Sequence, residues 1–379
     1  MKTVVLHSIH VWLFQTNTWL YNQVRFLPDH VESYVACEQT SNLDQFFVPN
    51  IHCLANASIW SLLLRRSFSR RRLSFLIDVA RKNNVNILHS HFADIAYRNI
   101  DAASRTGLSH VVSFYGVDVN YMPTQDRDWR ERYRTLFQHI DRVLCEGLHM
   151  ARCIAELGCP EEKIRVHHLG VDVDEIPFRP RVWRPGETLR VLIAASFREK
   201  KGIPYALEAL GRLRKEVQLE VTIIGDAHSE QRSQDEKQKI TNAIESLDLR
   251  SKVRMLGYQP YQVFLEEAYK HHVFLSPSVT ATDGDTEGGA PVSIIEMLAS
   301  GMPVVSTIHC DIPEIIHHGI SGLLAAERDV QGLATHLKWL MEHPDRWSQM
   351  LDAGRKHVEA EYDARKQGER LARIYEELI

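Results

Sequence analysis

Short apolar runs of strand length recur along this chain with helix-length stretches between them, and that alternation restricts the fold more than any other feature. Strands of a parallel sheet are covered on both faces by crossover helices, so they read as near-continuous apolar runs spaced by helical segments. In the first half such runs lie at 2–9, 33–39, 85–92, 110–116, 142–147 and 164–170, and in the second at 189–196, 220–226, 253–257, 273–278 and 303–307. Between the two series, "PFRPRVWRPGE" (177–187) has three prolines, a glycine and no periodic apolar pattern, which is how an interdomain linker reads. The pattern predicts an α/β protein of two Rossmann-like domains, residues 1–178 and 189–379, joined by a linker at 179–188. Helices are expected from about 329 onward, the last of them a candidate to pack back on the first domain. A length of 379 residues suits two domains. Ligands of such sheets bind beyond the carboxyl ends of the strands, so two such domains facing each other would enclose a cleft.

Charge and composition exclude several functions. A net charge of -4 gives no reason to expect nucleic acid. Residues 3–24 contain no Asp, Glu, Lys or Arg, but His7, Ser8, His10, Gln15, Asn17, Asn22 and Gln23 interrupt the apolar run that a membrane span or signal peptide needs. The segment is read as a first strand and its loop in a cytoplasmic protein. Cys37, Cys53, Cys145, Cys153, Cys159 and Cys310 form no CxxC pair or metal-ligand spacing and are expected as reduced thiols. One local asymmetry stands out at 60–82, where Arg65, Arg66, Arg70, Arg71, Arg72, Arg81 and Lys82 oppose only Asp78. Helical spacing puts Trp60, Leu64, Phe68 and Phe75 on one face, interrupted by Arg71. Two readings stand: a domain helix with a solvated basic side, or a surface that docks on anionic lipid through Arg65, Arg66, Arg70, Arg71 and Arg72.

The chemistry-bearing stretch is "GDTEGGAPVSIIEMLASGMPVVST" (284–307), an acidic loop, an apolar helix and an apolar strand. Asp285 and Glu287 offer hydrogen-bond acceptors suited to hydroxyl groups, while Gly288 and Gly289 let backbone N–H groups approach a ligand. Pro291 suits the first helical position. A helix starting there has unpaired N–H groups and a positive dipole end, favourable to a phosphate. A ligand with a phosphate end and a polyol end fits both, and a nucleotide-sugar has both. In "HSHFAD" (89–94), His89 and His91 point the same way along a strand but have no third ligand nearby in sequence. They are expected to line a cleft, and no metal is expected.

Several stretches together resemble glycosyltransferase family 4, retaining enzymes of the GT-B fold, and the colanic acid and exopolysaccharide biosynthesis branch in particular. They are "LGCPEEKIRVHHLGVDVDEIPFRP" (157–180), "SFREKKGIPYALEAL" (196–210), "VRMLGYQP" (253–260), "HHVFLSPS" (271–278) and "EGGAPVSIIEMLASGMPVVST" from 287. The resemblance implies that Glu287 contacts the hydroxyls of the transferred sugar and Glu296 the nucleotide ribose. Eight residues separate them here, where the family usually has seven, so a one-residue enlargement of the loop is inferred. It assigns Lys201 to the leaving diphosphate. The family's usual arginine aligns with Ser196, and Arg198 is the candidate to replace it. Gly225, Gly257, Tyr258, Gly288, Gly289 and Ala290 complete the expected donor site. On the amino-terminal side, Tyr115 in "SFYGVDV" (113–119) takes the place of a histidine common in the family. A phenol of ordinary pKa about 10 is a poor base at neutral pH. Gly116, Asp118 and His91, with Thr16, Asn17 and Thr18 in the loop after the first strand, are the acceptor-side candidates. The implied activity is retaining transfer of a hexose-type sugar from a nucleotide diphosphate donor to a glycan or lipid-linked acceptor, with no cofactor. The alternatives are a nucleotide-sugar epimerase of the same fold and an inactive nucleotide-sugar-binding protein.

Overall fold

The computed structural model describes residues 2–14, 16–56 and 68–379, so Gln15, Trp60, Leu64, Arg65 and Arg66 lie outside the described residues, as do the side chains of Phe68 and Arg70. The chain divides into two compact units, Met1–Gly170 with Ala364–Ile379, and Val171–Asp363.

In the first unit β1 (Thr3–Trp12), β2 (Val31–Thr40), β3 (Ile51–Cys53), β4 (Ile87–His91), β5 (Ser109–Ser113), β6 (Arg142–Cys145) and β7 (Ile164–Val166) form a parallel sheet of order β3-β2-β1-β4-β5-β6-β7. The order reverses between β1 and β4. The helix Ala364–Glu376 belongs to this unit, setting Leu371, Ala372 and Tyr375 against Val5, Ile87, Val111 and Leu144.

In the second unit β8 (Leu189–Ala194), β9 (Leu219–Ile224), β10 (Val253–Gly257), β11 (Val273–Ser276), β12 (Val304–Thr307) and β13 (Leu323–Ala325) pair in parallel in the order β10-β9-β8-β11-β12-β13. Along β8 the side chains alternate between two cores: Val191 and Ile193 join one, Leu192 the other. Covering both faces is what makes these strands read as near-continuous apolar runs. Here the order reverses between β8 and β11, and ligands of open parallel sheets sit beyond the strand ends at such a reversal.

Three features differ from the sequence reading. The strands β3 and β13, three residues each, are too short to show a pattern of their own. The stretch 179–188 is not a free linker: Arg181 is buried, and its guanidinium donates to the carbonyls of Ser300 (2.8 Å), Ala268 (3.1 Å) and His271 (3.2 Å), while Trp183 packs into the core of the second unit. Ser300 ends the helix Val292–Ser300, so its carbonyl is among those a helix leaves unpaired and a buried cation can satisfy. In the basic segment, the helix Phe68–Lys82 turns Arg72 inward. Its Nε lies 2.8 Å from Glu38 and its Nη2 donates to Asn99 at 2.9 Å. Arg72 is therefore a structural ion pair of the first unit and not part of a lipid-facing row. Among the described residues no helix is long and apolar enough to cross a membrane.

Candidate functional site

The ends of β8 and β11 carry the residues that converge. After β8 the chain makes a short turn, Glu199–Lys201, and enters the helix Ile203–Leu213 through Gly202 at φ 63°. A Cβ on Gly202 would stand 1.9 Å from the carbonyl oxygen of Pro277, just beyond β11, so only glycine lets the two strand ends approach this closely. Lys201, the residue before it, reaches across to Glu287, with Nζ 2.7 Å from Oε2. The other carboxylate oxygen of Glu287 accepts from the Ser278 hydroxyl at 2.8 Å. The Glu287 side chain is only 6% exposed. Burial alone would raise its pKa, but the charges of Lys201 and Lys200 outweigh it and hold the carboxyl down at about 2. The glutamate stands ionised beside a lysine at the strand-order reversal, where open parallel sheets in general bind ligands.

The neighbouring acid is placed differently. Asp285 is buried and lies 3.0 Å from Lys200, 3.5 Å from Arg232 and 3.7 Å from Arg198. Three cations already take up its charge, so it shapes the loop and offers little to a hydroxyl. Arg198 also stands 3.5 Å from Glu230, so in this state its guanidinium is held between two acids.

On the helix Val292–Ser300, Glu296 is buried; burial raises its pKa to about 8, against a smaller opposing effect of the Tyr261 hydroxyl. Pro291 occupies the cap position rather than the expected first helical position, because its ψ of 126° is extended. The Gly288 N–H donates to the Thr286 hydroxyl at 3.1 Å and Gly289 O accepts from Asp311 N at 3.3 Å, so the loop uses part of its backbone to hold itself. Ala290 packs at the edge of the core beneath. The ends of β8, β9 and β10 meet where Gly225 N donates to Gly257 O at 2.9 Å. A Cβ on Gly225, at φ 127°, would be 1.9 Å from the Ala195 carbonyl oxygen. Tyr258, next to Gly257, is 36% exposed and meets His228 Nε2 at 3.0 Å.

The raised pKa of Glu296 gives a stability prediction. Its folded-state pKa exceeds the ordinary 4.5, so the protonated form favours folding, fully below pH 4.5 and decreasingly as pH rises through 8. Glu296→Gln mimics the protonated form at every pH. The variant's stability advantage over wild type is therefore expected to grow between about pH 4.5 and 8 and then level off, as urea unfolding at stepped pH would show; a constant gap would contradict it.

In the first unit His91 and Asp118 are fully buried and Tyr115 nearly so. The Tyr115 ring is packed against Trp19 and Phe92, with centroids 4.5 and 4.7 Å away. Its hydroxyl meets His91 Nδ1 at 2.9 Å, and burial raises its pKa well above the usual phenol value. Asp118 caps the turn after β5 by accepting from Tyr115 N at 3.0 Å, with Gly116 between them. Thr16 is exposed and Asn17 and Thr18 half-buried at the start of the helix Thr18–Arg25. The third histidine that sequence proximity did not supply comes from β1. His7 pairs in register with His89, and ring nitrogens of His7, His89 and His91 lie within 4.8 Å of one another. Hydrogen bonds already engage them: His7 Nδ1 with His91 Nε2 at 3.0 Å, and both nitrogens of His89 with Tyr375 and Ser113. His7 Nε2 is left without a partner among the described residues.

Comparison with known proteins follows the same division. Residues 16–175 match the model of Glycosyltransferase Family 4 and residues 176–357 that of Glycosyl transferases group 1. WcaL of Escherichia coli, which bears the name of a colanic acid biosynthesis glycosyltransferase, is 31% identical over 307 residues, 80% of this chain and 68% of that protein. The chain belongs to this glycosyltransferase family. WcaL of Salmonella typhimurium is 35% identical over 265 residues, 69% of the chain, and the chain spans 58% of that relative's length. Among solved structures, Anabaena HepE in complex with UDP and glucose is similar in fold, with a TM-score of 0.79 at 15% identity, covering 99% of this chain and 100% of that one. The α/β fold of two parallel sheets is thus the GT-B fold of glycosyltransferases.

Sequence reasoning did not find Ser278, Lys200, His309 or Glu327, which shape the surroundings of Glu287. None has a motif spacing to Glu287. Their common signal is position: each follows closely on the end of β8, β11, β12 or β13, where a parallel sheet collects its functional groups.

Proposed function

We propose that the protein is a retaining glycosyltransferase that moves a hexose-type sugar from a nucleotide diphosphate donor to a glycan or lipid-linked acceptor in cell-surface polysaccharide biosynthesis. The observation that carries this reading is the Lys201–Glu287 pair, 2.7 Å apart at the β8/β11 reversal. As the bond to the sugar breaks, negative charge builds on the leaving diphosphate and positive charge on the anomeric carbon. Lys201 is the cation for the first. Glu287 is the acceptor for the sugar hydroxyls, and both act by charge stabilisation in a dry, preorganised place. Glu296 is the residue assigned to the ribose hydroxyls in this reading. Tyr115, buried and hard to ionise, is no general base, which suits a retaining route in which the departing phosphate helps deprotonate the acceptor. No cofactor is required in this scheme. The complex of HepE with UDP and glucose makes UDP-sugars the first donors to try. A panel of nucleotide-sugars titrated onto the purified protein, followed by NMR of the glycoside formed with the donor that binds, tests the reading. A product with the donor's anomeric configuration supports it. An inverted product, an epimerised free nucleotide-sugar, or binding without turnover would overturn it.

A lipid-linked acceptor would bring the protein to an anionic membrane surface, with the basic segment as its tether. Arg72 is committed to Glu38, so the row reduces to Arg65, Arg66, Arg70 and Arg71. Each basic residue near anionic lipid adds on the order of 1 kcal/mol, and salt screens it. Sedimentation with anionic vesicles at low ionic strength is expected, with release in high salt and loss on replacing these four arginines by Gln. Equal binding to neutral and anionic vesicles would leave the solvated-helix reading.

A further inference from the structure

Glu287 lies in a loop inferred to be one residue longer than the pattern it resembles, and each added residue brings backbone freedom that must be removed if a side chain is to hold its place. The Glu287 backbone N–H donates to Nε2 of His309 at 3.1 Å, and His309, just after β12, is a side chain only 1% exposed. A nitrogen that accepts carries no proton, so the neutral ring is protonated on Nδ1. That Nδ1 lies 2.6 Å from Glu327 Oε1. Glu327 is fixed in turn: its Oε2 accepts from Thr280 N at 2.8 Å and lies 3.5 Å from the Arg328 guanidinium. A carboxylate that selects the tautomer and orientation of an imidazole acts in the same way in the serine hydrolases, where it holds the ring for work on its far side. Here the far side holds a backbone amide.

We propose that His309, backed by Glu327, is a positioning residue that sets where the Glu287 carboxylate stands, by gripping the backbone of its enlarged loop. The inference rests on the proposed role of Glu287 toward the transferred sugar. Neither residue has to touch substrate for this. A displacement of about 1 Å in a reacting geometry can cost on the order of 10²-fold in rate, so loss of the grip should fall on kcat and leave donor KM nearly unchanged.

Two amides separate the roles of the two ring nitrogens. Gln at 309 can place its carbonyl oxygen near the position of Nε2 and still accept from Glu287 N–H. Asn is shorter and can replace only the Nδ1 side. His309→Asn is expected to lower kcat by about 10–100-fold with donor KM within about 3-fold, and His309→Gln to retain most of kcat. Hydrogen exchange of the Glu287 amide, read by NMR, is expected to speed up in His309→Asn and stay slow in His309→Gln, with thermal unfolding confirming that both fold. Glu327→Ala against Glu327→Gln repeats the comparison one bond further out, should His309→Asn not fold. Unchanged kcat and amide exchange in His309→Asn would overturn the proposal, and so would equal loss of kcat in both His309 variants with the Glu287 amide undisturbed. If wild type transfers no sugar from any donor yet the amide pattern is as expected, the grip stands and the proposed function falls.

Discussion

Glu287→Gln is expected to reduce kcat by about 10²–10³-fold, the scale on which one preorganised electrostatic contact acts in a transition state, while the protein stays folded. Gln keeps the shape and can still accept from Ser278, so the change removes charge and little else. The carboxylate is ionised across the neutral range, because Lys201 and Lys200 overcome the effect of burial and hold its pKa at about 2. A carboxyl with a lowered folded pKa stabilises the protein above its ordinary pKa of 4.5 and loses that contribution as pH falls through 2. No acid limb of a rate profile near neutral pH should therefore belong to Glu287. Steady-state kinetics with the donor found by the binding panel, alongside thermal unfolding, checks the expectation. Near-normal turnover would reject the assignment of Glu287, and with it the enlarged loop. Asp285 is the other loop acid, and Asp285→Asn should act differently, since Lys200, Arg232 and Arg198 surround it. That variant is expected to loosen the loop and lower stability along with rate.

The two sheets were legible because burial on both faces leaves a simple mark on a sequence, a run such as 191–195 that is apolar throughout. The three-residue strands β3 and β13 leave no such mark. The loop and helix from 284 to 300 were legible through glycine, acid and proline at fixed offsets, all of them local features. What sequence could not show is which side chains meet across the fold. Arg72 reads as one of a row of arginines until Glu38, 34 positions earlier, takes it inward. His7 joins His89 and His91 only because β1 lies beside β4 in register. His309 follows Glu287 by 22 positions and meets its backbone because β11 and β12 are neighbours. Arg181 sits in a stretch whose prolines and lack of period match a linker, but its guanidinium fits three carbonyls of the second unit. In each case the decisive contact is long-range, and period and composition do not record it.

Lys201→Met should have two separable consequences, because Lys201 has two duties. Toward a donor it removes a cation from the site where charge develops, so both binding of the nucleotide diphosphate and kcat are expected to fall. Toward the protein it leaves Glu287 as a nearly buried carboxylate that has lost its closest cation. Breaking a buried ion pair from one side costs about 3 kcal/mol or more, and with Lys201 18% exposed and Lys200 also acting on Glu287 the lower end is expected. The double variant Lys201→Met with Glu287→Gln distinguishes the two. Neutralising both partners should restore most of the stability lost in Lys201→Met, a coupling read from urea unfolding of the four proteins, while transfer stays impaired. Arg198→Gln is the control. Its guanidinium is 23% exposed and lies 3.5 Å from Glu230 and 3.7 Å from the buried Asp285, which Lys200 and Arg232 still neutralise, so its loss should cost less stability than that of Lys201. Isothermal titration with nucleoside diphosphate then decides between the two cations. Weakened binding in Lys201→Met with Arg198→Gln close to wild type supports the assignment, and the reverse order would move the diphosphate contact to Arg198.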